Sequence, residues 1–190
     1  DDNSGLGDWY PNEKKLGCTL KELGEKITAT GMKFGIWFEP ESISIDSDLY
    51  RAHPDWVIQQ PGRLPNLSRN ELVLDFSRVD VQDYILERIR AILTEAPISY
   101  IKWDMNRSIC DKYSNQLDAL HQGEFAHRYI LGLYRVFEAI YQEFPEVIIE
   151  SCSGGGGRFD AGILYYTPQI WCSDNTDAIS RLDIQYGTSF

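Results

Sequence analysis

Short apolar segments alternate along this chain with longer segments whose apolar positions recur at helical spacing. Ile85, Ile89 and Ile92, for example, predict one buried face of a helix. The pattern predicts strands over residues 32–38, 72–76, 98–103, 147–150 and 169–172, and helices over residues 19–30, 46–52, 79–95, 117–144, 159–165 and from 178 onward. Strands that alternate with helices predict an α/β fold with a parallel sheet and right-handed crossovers.

The strand over residues 98–103 ends at a carboxylate. Asp104 follows it directly, and active sites of parallel α/β proteins lie in the loops after the carboxyl ends of the strands. Lys102 and Arg107 flank Asp104, and a nearby cation lowers the pKa of a carboxyl group. Asp104 is therefore a candidate nucleophile kept ionised by cations, and the alternative interpretation is a structural salt bridge.

A second strand, over residues 169–172, also leads into a polar loop, which carries Asp174 and Asp177. Between the two acidic loops, the strand over residues 147–150 leads into the glycines 154–157, where backbone can approach a ligand without an intervening side chain. Phosphate binding is the competing use of such glycines, but a Gly-Lys-Ser/Thr ending and a G-x-G-x-x-G order are both missing. The combination favours a flat or bulky substrate.

Four motifs together closely resemble the α-galactosidases of glycoside hydrolase family 36. They are FGIWFEPE at 34–41, WDMNR at 103–107, SCSGGGGR at 151–158 and WCSDNTD at 171–177. The resemblance covers nearly the whole chain, and it implies a partial (β/α)₈ TIM barrel made of about strands 2 to 6 with their helices. A complete barrel takes about 250 residues. Residues 1–190 are therefore expected to be a fragment of a single (β/α)₈ catalytic domain, truncated at both ends, with residues 1–10 in a loop.

The resemblance also implies a reaction and a set of site residues. It makes Asp104 the nucleophile and Asp174 the acid/base of a retaining α-galactosidase, which hydrolyses terminal α-galactosyl residues of oligosaccharides such as melibiose and raffinose by double displacement. The positions that match the family's substrate-binding residues are Trp37, Arg69, Lys102, Asn106, Cys152 and Gly155. No cofactor is implied, and the three histidines show no zinc spacing, so no metal site is expected.

The mechanism adds two physical expectations. In a retaining glycosidase the two carboxyl groups lie roughly 5 to 5.5 Å apart, and here one strand should separate the two loops that carry them. Asp174 has polar neighbours and Asp177 nearby but no cation within a few residues, which permits the raised pKa that a general acid needs. Lys102 should point to the same side of its strand as Asp104, since the two are two residues apart.

Composition narrows the class of protein and its partners. Hydrophobic residues make up 43% of the chain, and no apolar run approaches the ~20 residues of a membrane span, so we expect a globular enzyme with no membrane partner. The net charge of -11 disfavours a nucleic-acid partner. Four cysteines without Cys-x-x-Cys spacing suggest reduced thiols and a cytoplasmic location. We expect a homo-oligomer in the full-length parent.

Several alternatives remain open at this level. A raffinose-synthase-like transglycosidase would use the same two aspartates with a sugar in place of water, and an α-N-acetylgalactosaminidase would differ only in the sugar that it accepts. In a different class, the chain could be an inactive carbohydrate-binding or structural fragment. The presence of both carboxylates argues against loss of the catalytic groups.

Overall fold

The computed structural model describes residues 3–189, so the predicted loop positions Asp1 and Asp2 and the terminal Phe190 lie outside the described residues. The strands are β1 (Phe34–Phe38), β2 (Ser42–Ser44), β3 (Glu71–Val73), β4 (Ile98–Asp104), β5 (Ile148–Cys152) and β6 (Gln169–Ile170). The helices are α1 (Glu13–Leu16), α2 (Leu20–Thr28), α3 (Asp48–Ala52), α4 (Val79–Glu95), α5 (Phe125–Glu143), α6 (Ala161–Tyr166) and α7 (Ala178–Thr188). Within residues 3–189, none of these helices has the length and apolar content that crossing a membrane requires.

Four strands form the main sheet, in the order β1-β4-β5-β6, and every neighbouring pair is parallel. The register pairs Phe38 with Trp103 and Asp104 with Cys152, so the carboxyl ends of the strands lie at one edge. Helices separate consecutive strands of this sheet. This is the predicted α/β fold, and it is consistent with part of a (β/α)₈ barrel.

The predicted strand over residues 72–76 is not a strand of the parallel sheet. The strand that forms there, β3, covers only Glu71–Val73 and pairs antiparallel with β2 in a separate two-stranded sheet, with Ile43 opposite Leu72. The main sheet therefore contains four of the five strands expected. Leu72, Leu74 and Phe76 are fully buried, as a barrel strand would be, so apolar character and burial did not distinguish the two pairings.

Several helix boundaries differ from the predicted ones, three of them for clear local reasons. Helix α2 begins as expected, because Thr19 and Glu22 form a capping box, but it ends at Thr28. Helix α3 begins at Asp48, two residues later than predicted, with Ser47 as its cap. Helix α5 begins at Phe125, well after the predicted 117. The Asp118 carboxyl accepts hydrogen bonds from nearby backbone N–H groups, and such local bonds favour a turn over a continuous helix.

The core between the main sheet and helices α4 and α5 anchors the end of β4. Ile85 and Ile89 of α4 and Phe137 of α5 are fully buried, and the rings of Trp103 and Phe137 lie 4.6 Å apart. Burying each of these side chains stabilises the fold by roughly 2 kcal/mol. Trp103 immediately precedes Asp104, so the packed core fixes the backbone from which the Asp104 carboxylate projects.

Candidate active site

The Asp104 carboxyl lies at the end of β4 and is only 7% exposed. Its Oδ2 accepts a hydrogen bond from Trp37 Nε1 at 3.1 Å, and its Oδ1 accepts one from the Met105 backbone N–H at 3.0 Å. Burial alone would raise the pKa of Asp104, but hydrogen bonds from the side chains of Asn106, Trp37 and Cys152 and from Met105 outweigh burial and lower it. The group is therefore held ionised.

The two cations expected to keep Asp104 ionised contact other groups. Lys102 Nζ lies 3.5 Å from Glu150 Oε1 and 4.6 Å from the centre of the Trp171 ring. Arg107 donates to backbone carbonyls of the segment 66–71. The predicted direction of the Asp104 pKa is thus confirmed, while the predicted cause is wrong, because the groups that lower this pKa most are uncharged donors.

Asp174 lies in the loop after β6 and is exposed. Its Oδ1 accepts a hydrogen bond from Trp171 Nε1 at 2.7 Å. Asp177, the second acid of this loop, caps α7 by accepting the Ser180 backbone N–H at 2.9 Å. That local bond accounts for Asp177 as a structural residue and leaves Asp174 as the acid available for chemistry.

The glycine loop after β5 supports the loop that carries Asp174. Gly155 has φ +87°, and a Cβ there would lie 2.9 Å from the Cα of Ser173, so glycine is required at this close approach. The Gly156 backbone N–H donates to the Cys172 carbonyl at 3.1 Å. Gly155 is itself buried, so the structure places it beneath the Asp174 loop rather than on an open surface.

Cys152 ends β5 beside Asp104, with which it is in register. The side chain is buried, and burial is the main cause that raises the pKa of its thiol to about 11. The thiol is therefore protonated at neutral pH and can donate to the Asp104 carboxylate. This places a predicted substrate-binding residue in contact with the predicted nucleophile.

Trp37 and Arg69 are the exposed members of the predicted substrate-binding set. Trp37 is 44% exposed, so its indole both donates to Asp104 and presents a face on which a sugar could stack. Arg69 has φ +55°, and its Nε lies 2.9 Å from Glu71 Oε1 with 56% of the side chain exposed. Both side chains can therefore reach a ligand without moving buried groups.

The sequence did not predict two further carboxylates that support the site. Glu39 is 2% exposed, and its Oε1 accepts the Asn106 backbone N–H at 2.7 Å. Burial is the main cause that raises the pKa of Glu39. Glu41, fully buried, accepts hydrogen bonds from Trp103 and Tyr129 and pairs with Arg158. Their one signal in the sequence is the pair of acids directly after β1.

The other acids near strand ends have structural partners. Asp75 accepts hydrogen bonds from the Ser77 backbone and hydroxyl, and Asp80 pairs with Arg78 at 2.7 Å. Glu150 accepts Tyr100 Oη at 2.5 Å besides its contact with Lys102. These contacts account for the other acids as structural residues, while the catalytic pairing of Asp104 and Asp174 remains a prediction.

A cavity of about 520 Å³ lies against the loop that follows Asp104. Its walls include Asn106, Ser153, Gly154 and Arg158. Asn106 also donates to Asp104, and its Oδ1 accepts the Gly154 backbone N–H at 3.0 Å. Asn106 thus connects the cavity, the glycine loop and Asp104.

The arrangement can support a two-carboxylate reaction. Strand β5 lies between β4 and β6, so one strand separates the loops of Asp104 and Asp174, as predicted. Two strand spacings amount to roughly 10 Å between backbones. One carboxylate is buried and ionised, and the other is exposed and accessible to protons.

The chain is similar to known proteins over its whole length. A family model described as Melibiase matches residues 1–190. The bifunctional alpha-galactosidase/sucrose kinase AgaSK of Mediterraneibacter gnavus is 56% identical over the whole chain, which covers 20% of that protein. Alpha-galactosidase AgaA of Geobacillus stearothermophilus is also 56% identical, and 26% of it is covered. The chain therefore spans between a fifth and about a quarter of the length of these curated relatives.

Solved structures show the same likeness. The crystal structure of GH36 alpha-galactosidase AgaA from Geobacillus stearothermophilus superposes with a TM-score of 0.96 at 56% identity, covering all of this chain and 26% of that one. A variant of AgaA was solved in complex with raffinose, at 55% identity, with the same TM-score and coverage. TtGalA from Thermus thermophilus, at 22% identity, has a TM-score of 0.65 over 96% of this chain and 38% of its own, which shows the shared fold alone.

Proposed function

The chain belongs to the Melibiase family, which confirms the resemblance to glycoside hydrolase family 36, and we propose that it carries the catalytic carboxylates of a retaining α-galactosidase. The substrates would be oligosaccharides with a terminal α-galactosyl residue, such as melibiose and raffinose. The observation that carries the proposal is the pair of carboxyls at the ends of β4 and β6, of which Asp104 is buried and held ionised by four donors. The AgaA complex with raffinose supports the substrate class.

The reaction would proceed in two displacements. In the first, Asp104 attacks the anomeric carbon as the glycosidic C–O bond breaks, and protonated Asp174 gives its proton to the leaving oxygen. In the second, ionised Asp174 takes a proton from water, whose oxygen attacks the same carbon and releases Asp104. Two inversions retain the α configuration. The carboxyl separation of roughly 5 to 5.5 Å that this mechanism requires remains a prediction.

The remaining residues would bind the galactosyl group. Trp37 supplies an exposed indole face, and Arg69 and Lys102 supply donors for sugar hydroxyls. Asn106 and Cys152, both in contact with Asp104, would share their donors between the nucleophile and the adjacent 2-hydroxyl. Gly155 contributes through the backbone, since it sets the position of the Asp174 loop.

The decisive experiment is Asp104→Ala in the full-length enzyme. Turnover of an aryl α-galactoside should fall by at least roughly a thousandfold, since removal of a nucleophile leaves only binding and electrostatic contributions. Azide should partly restore turnover and yield a β-galactosyl azide, because it attacks the space left by the carboxylate in one displacement. Full activity in this variant, or a wild-type first product with β configuration by proton NMR, would contradict the proposal.

Three broader features are also proposals. The 190 residues would be part of a longer enzyme, as their share of the curated relatives suggests. The enzyme would be cytoplasmic, in keeping with four cysteines that are all free thiols in the structure. It would assemble as a homo-oligomer, and light scattering of the full-length protein tests that directly.

A further inference from the structure

The turn that carries Arg69 has an unfavourable backbone. Ser68 and Glu71 exchange backbone hydrogen bonds at 3.0 and 3.3 Å, which leaves a two-residue turn between them. Its central residues, Arg69 and Asn70, have φ +55° and +62°, in the left-handed region that favours glycine. A turn with two such residues costs free energy, so the surrounding structure must hold it in place.

Arg107 provides that support. Its side chain is buried at 8% exposure, and its Nη1 donates to the carbonyls of Ser68, at 3.2 Å, and of Glu71. Its Nη2 donates to the Asn66 carbonyl at 2.6 Å. The planar guanidinium therefore binds three backbone carbonyls of the segment 66–71. A lysine ammonium is a compact point charge and cannot reproduce this forked geometry.

Arg107 also belongs to the loop of the nucleophile. It follows Asp104 by three residues, and the intervening Asn106 is fixed by its backbone bond to Glu39. The position of the guanidinium is thus set by the same loop that sets the carboxylate. Arg69, at the other end of this connection, is oriented by its ion pair with the buried Glu71.

We propose that Arg107 is a positioning residue that couples the nucleophile loop to the Arg69 turn and so determines where the Arg69 guanidinium meets the substrate. The inference rests on the proposed function, in which Arg69 binds the galactosyl group. Because the Arg107 side chain is buried and its Nη1 and Nη2 are bound to carbonyls, it acts through the Arg69 turn.

The test is a double-mutant cycle on the full-length enzyme with an aryl α-galactoside. Arg69→Ala should raise KM by tenfold or more, as expected for loss of a charged hydrogen bond to the substrate. Arg107→Ala should raise KM by a similar factor with a smaller change in kcat, and the double variant should be no worse than Arg69→Ala alone. Multiplied effects in the double variant, or an unchanged KM in Arg107→Ala, would overturn the inference.

Two rescue experiments separate positioning from general damage. Guanidinium ion at low concentration should lower the KM of Arg107→Ala, because it can occupy the vacated site. Asn70→Gly in the Arg107→Ala background should also lower KM, because glycine adopts φ +62° without strain. Arg128→Ala is the matched control, since Arg128 pairs with Glu124 at the surface. The KM of this variant should equal the wild-type value, with or without guanidinium. No rescue by either route would contradict the inference.

Arg107→Lys keeps the test decisive if Arg107→Ala does not fold. This variant retains charge and most of the volume, yet we expect the same rise in KM because the fork is lost. Wild-type KM in Arg107→Lys would overturn the inference. Failure of the proposed function looks different: Arg69→Ala would then leave KM unchanged, or Asp104→Ala would remain active.

Discussion

The Asp104 carboxyl receives hydrogen bonds from the two strands that flank β4, which are β1 and β5, and from the loop after β4. The Asp174 carboxyl receives its bond from Trp171, three residues earlier in the same loop. The first group is buried and the second is exposed. A nucleophile must stay ionised and aligned, and preorganised donors serve that need. An acid/base must gain and lose a proton in each cycle, and exposure serves that need. The two surroundings therefore match the two proposed roles.

The largest expected effect is the difference in kcat/KM between two substrates when the Asp174 carboxyl is removed. Asp174→Ala should lower kcat/KM for raffinose by roughly 10² to 10⁴, because its leaving group needs protonation, and far less for an aryl α-galactoside with a good leaving group. Asp104→Ala should lower kcat/KM by similar factors for both substrates. Steady-state kinetics on the two substrates measure this, and equal losses in Asp174→Ala would remove the distinction between the two regions.

A second comparison tests whether the glycine loop holds the Asp174 region in place. In Gly155→Ala the new methyl would meet the Ser173 backbone at 2.9 Å, so we expect activity on raffinose to fall by about tenfold to a hundredfold. Gly154→Ala is the matched control, since Gly154 also has positive φ, +56°, but nothing within 4 Å of an added Cβ. Similar losses in both variants would show that the strained φ, and not the contact with Ser173, is responsible.

The two indole donors should affect the pH profile differently. Trp37→Phe keeps a ring but removes a bond that lowers the pKa of Asp104, so this pKa should rise. Because the ionised form is the active one, the acidic limb of kcat/KM should move to higher pH, with activity lost on the acid side and kept on the plateau. Trp171→Phe should leave the acidic limb where it is. An unmoved limb in Trp37→Phe would contradict the assigned cause.

The smallest expected effect concerns Cys152. Its thiol has a pKa raised to about 11, so it is protonated at neutral pH and donates to Asp104. Cys152→Ser keeps a donor and should change kcat/KM less than Cys152→Ala, which should lose roughly twofold to tenfold, as for one weak hydrogen bond. Measurement on the aryl substrate isolates the effect on the nucleophile. Equal activities of the serine and alanine variants would show that the thiol acts by size alone.

Local signals predicted the individual elements well. Helix α4 has the bounds expected from its repeating isoleucines, because helical spacing is set within a few turns. Asp104 and Asp174 were placed after strand ends from apolar runs alone, and the structure has both there. The four motifs also predicted the family, since four matches in order are much more specific than one.

Partners distant in the chain were harder to predict. The cations nearest Asp104 in sequence, Lys102 and Arg107, bind Glu150 and the segment 66–71, while Trp37, 67 residues away, donates to the carboxylate. The run 72–76 predicted burial correctly and its pairing wrongly, because an apolar strand looks the same whichever strand it joins. Glu39 was not recognised as a support of the site, because its partner Asn106 is distant in the chain.

The chain's own pattern of residues was sufficient for the type of most elements, although helix α1 and strand β2 were not predicted. It was also sufficient for the position of the two carboxylates near strand ends and for the family, since these depend on contacts within a few residues or on residue identity. Only the packed structure decided which donors lower the Asp104 pKa, which loop Gly155 supports and what Arg107 binds. Those outcomes depend on which segments meet in space. Hydrogen bonds form between groups about 3 Å apart, whatever their separation along the chain.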